Sequence, residues 1–228
     1  MNILITGSSS GIGKAVSKRF LGEGFTVYGI DRDPSDLTSD RYHHFLADMR
    51  FPETFPDLPS LDYLFLNAGT QNSEDDIDNN LKGTINVADR YAFREGLKAV
   101  LFNASASAHT GFEFPEYSAS KAGILGYTKH LAWRLAEKGV LVNSISPGGV
   151  LTDSNKPVME DPQAWEEIMK VTPLGKWMTE EEVTDWVYFL LVVNRSASGQ
   201  DFLIDNGEKD LNCTFVWPHF SDRSAQKL

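Results

Sequence analysis

The stretch Thr6-Gly-Ser-Ser-Ser-Gly-Ile-Gly13 lies between an apolar run at the start of the chain and a segment with helical periodicity. The preceding run, Asn2–Thr6, has the composition of a buried strand. Ile12, Val16 and Phe20 then recur at the four-residue spacing of one helix face. The three glycines of the stretch allow a tight turn and a close backbone approach to a bound group. The stretch therefore predicts a strand–turn–helix unit that opens a doubly wound α/β fold.

Short β-rich runs alternate with helical patterns along the rest of the chain, which predicts βαβ units and a mostly parallel sheet. Several runs are continuously apolar, as expected for strands covered on both faces. We expect one Rossmann-like domain over residues 1–228. Its predicted strands are Asn2–Thr6, Thr26–Ile30, His43–Ala47, Leu61–Leu66, Ala99–Asn103, Val140–Ile145 and Asp201–Ile204.

Helices are predicted between most of these strands. After the first, which ends at Gly22 or Gly24, they run from about Ile77 to Arg94 and from about Tyr117 to Glu137, and a later one opens at the capping-box sequence Thr179-Glu-Glu-Glu182. The connection between the third and fourth strands contains three prolines, which leave room for little or no helix.

Two further segments depart from the alternation. Residues 152–176 form a polar connection in which Asp161 and Pro162 fit the cap and first position of a short helix. A connection of this length is predicted to act as a lid. The tail, residues 208–228, carries clustered aromatic side chains, which predicts docking on this subunit or, as we favour, on a neighbour. Its aromatic positions, with one proline, are Phe215, Trp217, Pro218 and Phe220.

The composition limits the function classes. A net charge of −11 argues against a nucleic-acid partner and against anionic membrane surfaces. No apolar run is long enough to span a bilayer, and the first residues lack the basic region of a signal peptide. A lone cysteine, Cys213, fits a reducing cytoplasm. His43 and His44 would point to opposite faces of a strand, and no metal-binding spacing occurs, so we expect no metal site.

The glycine-rich turn suits a dinucleotide, because its helix would present free N–H groups to a pyrophosphate. Asp31 stands at the end of the second strand, where a carboxylate can accept hydrogen bonds from ribose hydroxyls and repel a 2′-phosphate. This favours NAD. Arg32 could instead receive that phosphate, so NADP stays possible, and Asp31-Arg-Asp33 could also be a solvated turn.

Tyr117 and Lys121 lie four residues apart on a predicted helix and so share one face. An ammonium ~4 Å from the phenol, at an effective dielectric of ~20, would favour the phenolate by roughly 4 kcal/mol. That corresponds to about 3 pK units and would bring the pKa of the phenol close to neutrality, where it could act as a general acid or base. Alone, such a pair is usually surface decoration.

Taken together, these motifs make the chain similar to a short-chain dehydrogenase/reductase of the compact, single-domain type. The resemblance runs from Asn2 to Gly207 and rests on markers that occur in the family's order. After the glycine turn they are Asn67-Ala-Gly69, Asn80-Leu-Lys-Gly83, Ser105, Tyr117 with Lys121, Asn143-Ser-Ile-Ser-Pro-Gly-Gly-Val-Leu-Thr152, Pro173-Leu-Gly175 and Asp205-Asn-Gly207.

The resemblance implies an oxidoreductase that moves a hydride between a nicotinamide cofactor and a small carbonyl or secondary-alcohol substrate, and a homodimer or homotetramer. Its implied catalytic residues are Tyr117, Lys121, Ser105 and Asn80. Its implied cofactor-binding residues are Gly7, Ser10, Gly11, Ile12, Gly13, Asp31, Arg32, Asp48, Asn67, Ala68, Gly69, Tyr117, Lys121, Pro147, Gly148, Val150 and Thr152.

Some positions depart from the family's pattern. Ser105 precedes Tyr117 by one residue fewer than usual, so Ser107 competes for the serine role. The connection from Gly69 to Asn80 is short, which predicts a lower wall of the cleft and weakens the role of Asn80. His109 could contact substrate or be a surface histidine. These departures leave open a second hypothesis, a nucleotide-binding sensor or scaffold without turnover.

Overall fold

Seven parallel strands form a single sheet in the computed structural model of the chain, which describes residues 1–211. In chain order they are β1 Asn2–Thr6, β2 Thr26–Asp31, β3 Tyr42–Leu46, β4 Tyr63–Leu66, β5 Ala99–Asn103, β6 Leu141–Pro147 and β7 Asp201–Ile204. Their order across the sheet is β3-β2-β1-β4-β5-β6-β7. The predicted doubly wound, parallel α/β domain is confirmed. The predicted docking of the aromatic tail, and Cys213, lie outside the described residues.

Helices follow most strands and return the chain to the start of the next one. They are α1 Gly11–Gly22, α2 Thr84–Tyr91, α3 Ser107–Thr110, α4 Pro115–Leu135, α5 Lys156–Met159, α6 Pro162–Val171 and α7 Glu180–Tyr188. A π-helical segment, Ile77–Gly83, leads into α2, and another, Phe189–Val193, continues α7. The capping box at Thr179 is present, since the Thr179 side chain accepts from Glu182 N while the Glu182 carboxylate accepts from Thr179 N. No helix within residues 1–211 is both long and apolar enough to cross a membrane.

Apolar side chains of the strands alternate between two cores, one on each face of the sheet. On β1, Leu4 joins the core beneath α2 and α4, whereas Ile3 and Ile5 join the core beneath α1 and α7. All three side chains are fully buried. Successive strand residues point to opposite faces, so a strand buried on both sides must be apolar throughout, as the sequence is. The two-sided packing leaves the carboxyl edge of the sheet free for a site.

The crossover from β3 to β4 has almost no secondary structure, as its prolines predict. One 3₁₀ turn, Pro52–Thr54, is followed by an extended segment whose apolar side chains, including Leu58, are buried in the core beneath α2. Helix α2 and the residues after it hold the segment through its backbone, since Tyr91 Oη donates to the carbonyl of Pro56 (2.7 Å) and Arg94 donates to that of Leu58 (2.8 Å). Side-chain packing therefore replaces the missing helix on this part of the sheet.

Candidate active site

A cleft of about 590 Å³ lies at the carboxyl ends of the central strands, where the chain turns towards opposite faces of the sheet. In open parallel sheets this switch point is where ligands bind. Most residues expected in the site line the cleft: Gly7, Ser10, Gly11, Ile12, Asp31, Arg32, Asp48, Asn67, Ala68, Gly69, Ser105, Tyr117, Lys121, Pro147, Gly148, Val150 and Thr152. Gly13 and Asn80 are absent from this lining.

The glycine turn after β1 is built for close packing. Gly7 has φ +69°, and a Cβ there would lie 2.9 Å from Ala68 Cα. A Cβ on Gly13 would lie 2.0 Å from the Gly7 carbonyl oxygen, so Gly13 holds α1 against the turn rather than facing the cleft. Helix α1 begins at the cleft with no acidic side chain in its first turn. Its free N–H groups and positive dipole end therefore suit the pyrophosphate of a dinucleotide.

The Asp31 carboxylate at the end of β2 has a fixed orientation. Its oxygens accept hydrogen bonds from the backbone N–H groups of Ser9 (2.9 Å) and Asp33 (3.1 Å). An ionised carboxylate has about four lone-pair sites, so it can still accept from ribose hydroxyls. These contacts hold the Asp31 carboxylate in place at the turn after β2. Arg32 also lines the cleft beside it.

Asp48 follows β3 and is tied to Arg50. The guanidinium reaches both carboxylate oxygens, with Nη2–Oδ2 at 2.7 Å. This hydrogen bonding holds the pKa of the Asp48 carboxyl below its usual range. Arg50 also bonds Asp75 in the wall that follows β4, at 2.7 Å. The ion pair thus joins two walls of the cleft, and its arginine was not identified from the sequence.

The two competing serines take different positions. Ser105, just after β5, lines the cleft, whereas Ser107 is buried and does not. Ser107 donates through both its N–H (3.2 Å) and its hydroxyl (2.9 Å) to Ser105 Oγ. Ser105 is therefore the serine that faces the cleft near Tyr117, and Ser107 orients it.

The pKa of the Tyr117 phenol shifts in the opposite direction to the one expected from helical spacing. Burial raises the pKa of the Tyr117 phenol to about 12, while hydrogen bonding with Ser105 opposes the rise. Lys121 Nζ lies 5.7 Å from the centroid of the Tyr117 ring. Burial also lowers the pKa of Lys121 to about 8. Desolvation therefore outweighs the attraction between the two groups.

Lys121 is held by a residue that the sequence did not single out. Lys121, on α4, is only 4% exposed, and its Nζ donates to the backbone carbonyl of Asn103 at 2.9 Å. The side chain of Asn103 in turn donates to Asn67 Oδ1 at 2.9 Å. Asn103 ends β5 and lines the cleft. The sequence did not indicate this role, because the group that binds Lys121 is the backbone carbonyl of Asn103 and not its side chain.

Asn80 lies behind the cleft wall, inside the π-helical segment Ile77–Gly83. Its Oδ1 accepts from Thr70 N (2.7 Å), and its Nδ2 donates to the Thr70 carbonyl (2.8 Å) and to Ser120 Oγ (3.1 Å). The side chain is fully buried, so it braces the short connection after Gly69 instead of meeting the cleft. A contribution of Asn80 to a water relay stays a prediction.

The segment 152–176 begins at the cleft, and within it Asp161 caps α6 as predicted. Residues 153–155 line the cleft. Trp165 of α6 packs edge-to-face on Trp177, with centroids 5.1 Å apart, and Trp177 fills the space beside Gly149. The aromatic residues of this region therefore attach the segment to the body of the protein.

His109 is not among the residues that line the cleft. Its Nε2 lies 2.7 Å from Oδ2 of Asp201, on β7. The interpretation as a substrate contact is therefore not supported. Within residues 1–211, no group of three or more His, Cys, Asp or Glu side chains is arranged to hold a metal ion.

Comparisons with known proteins agree with this architecture. A family profile described as short chain dehydrogenase matches residues 1–163. The 2-dehydro-3-deoxy-D-gluconate 5-dehydrogenase of Bacillus subtilis (strain 168) is 29% identical over 235 residues, covering 90% of this chain and 92% of the relative. Carbonyl reductase family member 4 of Xenopus tropicalis is 30% identical over 232 residues, covering 89% and 95%.

The solved structure of 4-hydroxyisoleucine dehydrogenase complexed with NADH has a TM-score of 0.85 at 26% identity, and the match covers 91% of this chain and 98% of that one. A protein from Agrobacterium tumefaciens with bound NADP, assigned as a 2-deoxy-D-gluconate 3-dehydrogenase, has a TM-score of 0.83 at 27% identity, covering 91% and 95%. The family match spans most of the chain and the fold agrees throughout. The chain therefore belongs to the short-chain dehydrogenase family, as an oxidoreductase that transfers a hydride between a nicotinamide cofactor and a carbonyl or alcohol substrate.

Proposed function

We propose that Tyr117, Ser105 and Lys121 are the catalytic residues of this enzyme and that NAD is its preferred cofactor. The observation that carries the assignment is that all three side chains line one cleft with the glycine turn. Each comes from the carboxyl edge of the sheet, where parallel strands place their functional groups.

The proton-transfer roles follow from the chemistry of the three groups. The nicotinamide supplies or accepts the hydride. The Tyr117 hydroxyl donates a proton to the carbonyl oxygen in reduction and receives one in oxidation. A pKa of about 12 keeps the phenol protonated at neutral pH, which is the state that reduction requires. Ser105 binds the substrate oxygen by a hydrogen bond, and Lys121 binds the nicotinamide ribose.

The remaining contacts would be made with the adenosine and nicotinamide ends of the cofactor and with the pyrophosphate between them. The glycine turn would bind the pyrophosphate, Asp31 the adenosine ribose, and Asp48, Asn67 and Ala68 the adenosine side, with Val150 and Thr152 at the carboxamide. Asp31 supports NAD, because its fixed carboxylate would repel a 2′-phosphate at short range. Arg32 is the competing group, and the neighbours bound to NADH and to NADP span both alternatives.

The test is oxidation of NADH in the presence of a panel of small ketones, comparing the wild type with Tyr117→Phe. The variant should lose about 10²–10⁴-fold in kcat, because it lacks the proton donor. Its affinity for NADH, followed by fluorescence, should stay the same. Full activity in Tyr117→Phe would refute the assignment of Tyr117, and NADH binding without turnover of any ketone would favour the sensor hypothesis.

We also propose a cytoplasmic homodimer or homotetramer that binds neither nucleic acid nor membranes. The acidic net charge of −11 and the single cysteine support the location and the lack of anionic partners. Residues 152–176 would act as a lid, since this segment contributes part of the cleft lining.

A further inference from the structure

Among residues 1–211, no free cation lines the part of the cleft that must receive the substrate. Arg32 and Lys121 are the basic residues that line the cleft within the described part of the chain. Arg32 follows β2, close enough to Asp48 for its charge to act on that carboxylate, and so stands at the adenosine end. Lys121 is buried, and its ammonium donates to the Asn103 carbonyl. Among the described residues, a substrate carboxylate next to Tyr117 would therefore meet no free cation.

A carboxylate, Glu113, lies beside this part of the cleft, bonded to a residue of the lining. Glu113 stands in the loop before α4, four residues ahead of Tyr117. Gln71 lines the cleft from the short connection after β4, and its Nε2 donates to Glu113 Oε2 at 3.0 Å. The hydrogen bond joins the connection after β4 to the loop before α4, beside the cleft. In residues 1–211, Gln71 is the one hydrogen-bond partner of the Glu113 side chain, which leaves Oε1 able to accept a further bond.

The charge of Glu113 acts on the groups around it. It contributes to the raised pKa of the Tyr117 phenol, after burial of that ring. The pKa of Glu113 is itself raised, because its carboxyl group lies against the protein although the residue as a whole is exposed. Burial, with Asp205 and then Glu113, likewise raises the pKa of Glu208. Glu113 and Glu208, from different parts of the chain, thus lie close enough for the charge of one to act on the other.

We infer that Glu113 is a specificity-determining residue, which favours uncharged, hydroxyl-bearing carbonyl or alcohol substrates and disfavours those with a carboxylate near the reacting carbon. From its place beside Gln71, the free oxygen of Glu113 can accept from a substrate hydroxyl, whereas the charge of Glu113 repels a substrate carboxylate. Among residues 1–211, the cleft lining offers no free cation that would compensate this repulsion. This inference rests on the proposed function, since Tyr117 fixes where the reacting oxygen lies.

Three methyl ketones test it, because they carry different groups at the same distance from the carbonyl: 2-pentanone, 4-hydroxy-2-butanone and levulinate. NADH oxidation with the wild type should give kcat/KM for 4-hydroxy-2-butanone about tenfold or more above that for levulinate. Glu113→Gln, which keeps the bond to Gln71, should reduce this ratio about tenfold, mainly by improving levulinate. The value for 2-pentanone should stay within about twofold, since it makes no charged contact.

Two controls separate local charge from other effects. Glu137→Gln removes the same charge from the 3₁₀ turn after the far end of α4 and should leave the ratio unchanged. Gln71→Ala breaks the bond between the two loops but keeps the Glu113 carboxylate, so levulinate should stay disfavoured. An unchanged ratio in Glu113→Gln, with NADH binding intact, would refute the inference while the oxidoreductase assignment stands. Failure of all three ketones with every variant, in both reaction directions, would refute the proposed function and this inference with it.

Discussion

Replacing Lys121 by Met should change how the stability of the protein depends on pH. Burial lowers the pKa of Lys121 from 10.5 to about 8, so between these values the unfolded chain binds a proton that the folded protein does not. The free energy of unfolding therefore rises with pH across this window. Each pK unit corresponds to about 1.36 kcal/mol, which gives about 2 kcal/mol of added stability between pH 7 and pH 9.5. Lys121→Met should lack this rise.

The difference in the free energy of unfolding between the two proteins at pH 7 is less informative, because two effects oppose each other. Below pH 8 the wild type bears the full cost of the buried ammonium, about 3 kcal/mol from the same conversion. The variant loses that cost but leaves the Asn103 carbonyl without its donor, which costs about 1–3 kcal/mol. Urea unfolding at pH 7 and pH 9.5 isolates the pH-dependent part, since the contributions of other groups cancel between the two proteins.

Lys129→Met, an exposed position on α4, is the matched control and should keep the wild-type rise. Tyr117 does not interfere, because its raised pKa lowers stability only above about pH 10, where the unfolded phenol ionises first. If Lys121→Met gained as much stability between pH 7 and pH 9.5 as the wild type, the reasoning from desolvation of Lys121 would be refuted.

Two further predictions concern the cofactor end. Titration by fluorescence should show that the wild type binds NADH more tightly than NADPH. Asp31→Ala should raise the affinity for NADPH about tenfold, because it removes the repulsion between the carboxylate and the 2′-phosphate. A wild-type preference for NADPH would mean that the attraction of Arg32 outweighs the repulsion by Asp31. Gly13→Ala should destabilise the protein by about 1–3 kcal/mol or more and weaken NADH binding, because the new Cβ would lie 2.0 Å from the Gly7 carbonyl. Gly126→Ala, within α4 and with open space around it, should instead add about 0.5–1 kcal/mol. Equal melting temperatures for the two glycine variants would contradict this packing argument.

Much of the fold could be predicted because its signals are local. Buried parallel strands are apolar throughout, and β1, β5 and β7 have the predicted bounds. The sequence signals of helix caps are equally local, so the predicted cap of α6 at Asp161 and the capping box at Thr179 are confirmed. The π-helical segment Ile77–Gly83 could not be predicted, since a change in the backbone hydrogen-bond register leaves no pattern in the side chains.

The features of the site that could be predicted are likewise those with a local sequence signal. Residues that follow strands or glycine turns could be placed in the cleft from their order in the chain. The pKa of Tyr117 could not, because helical spacing gives the neighbour but not the depth of burial, and desolvation outweighs the lysine. The contact between Gln71 and Glu113 joins loops 42 residues apart, so no local signal announces it.

The extended crossover between β3 and β4 has a consequence for the order of folding. In space it passes from one edge of the sheet across β2 and β1, and it has no helix whose local hydrogen bonds could offset the entropy of closing that loop. Its anchors, Tyr91 and Arg94, come 35 and 36 residues after the carbonyl groups that they bind. We therefore expect the β1–β2–β3 unit and the β4–α2–β5 unit to form separately, with the crossover becoming ordered only as the two halves join.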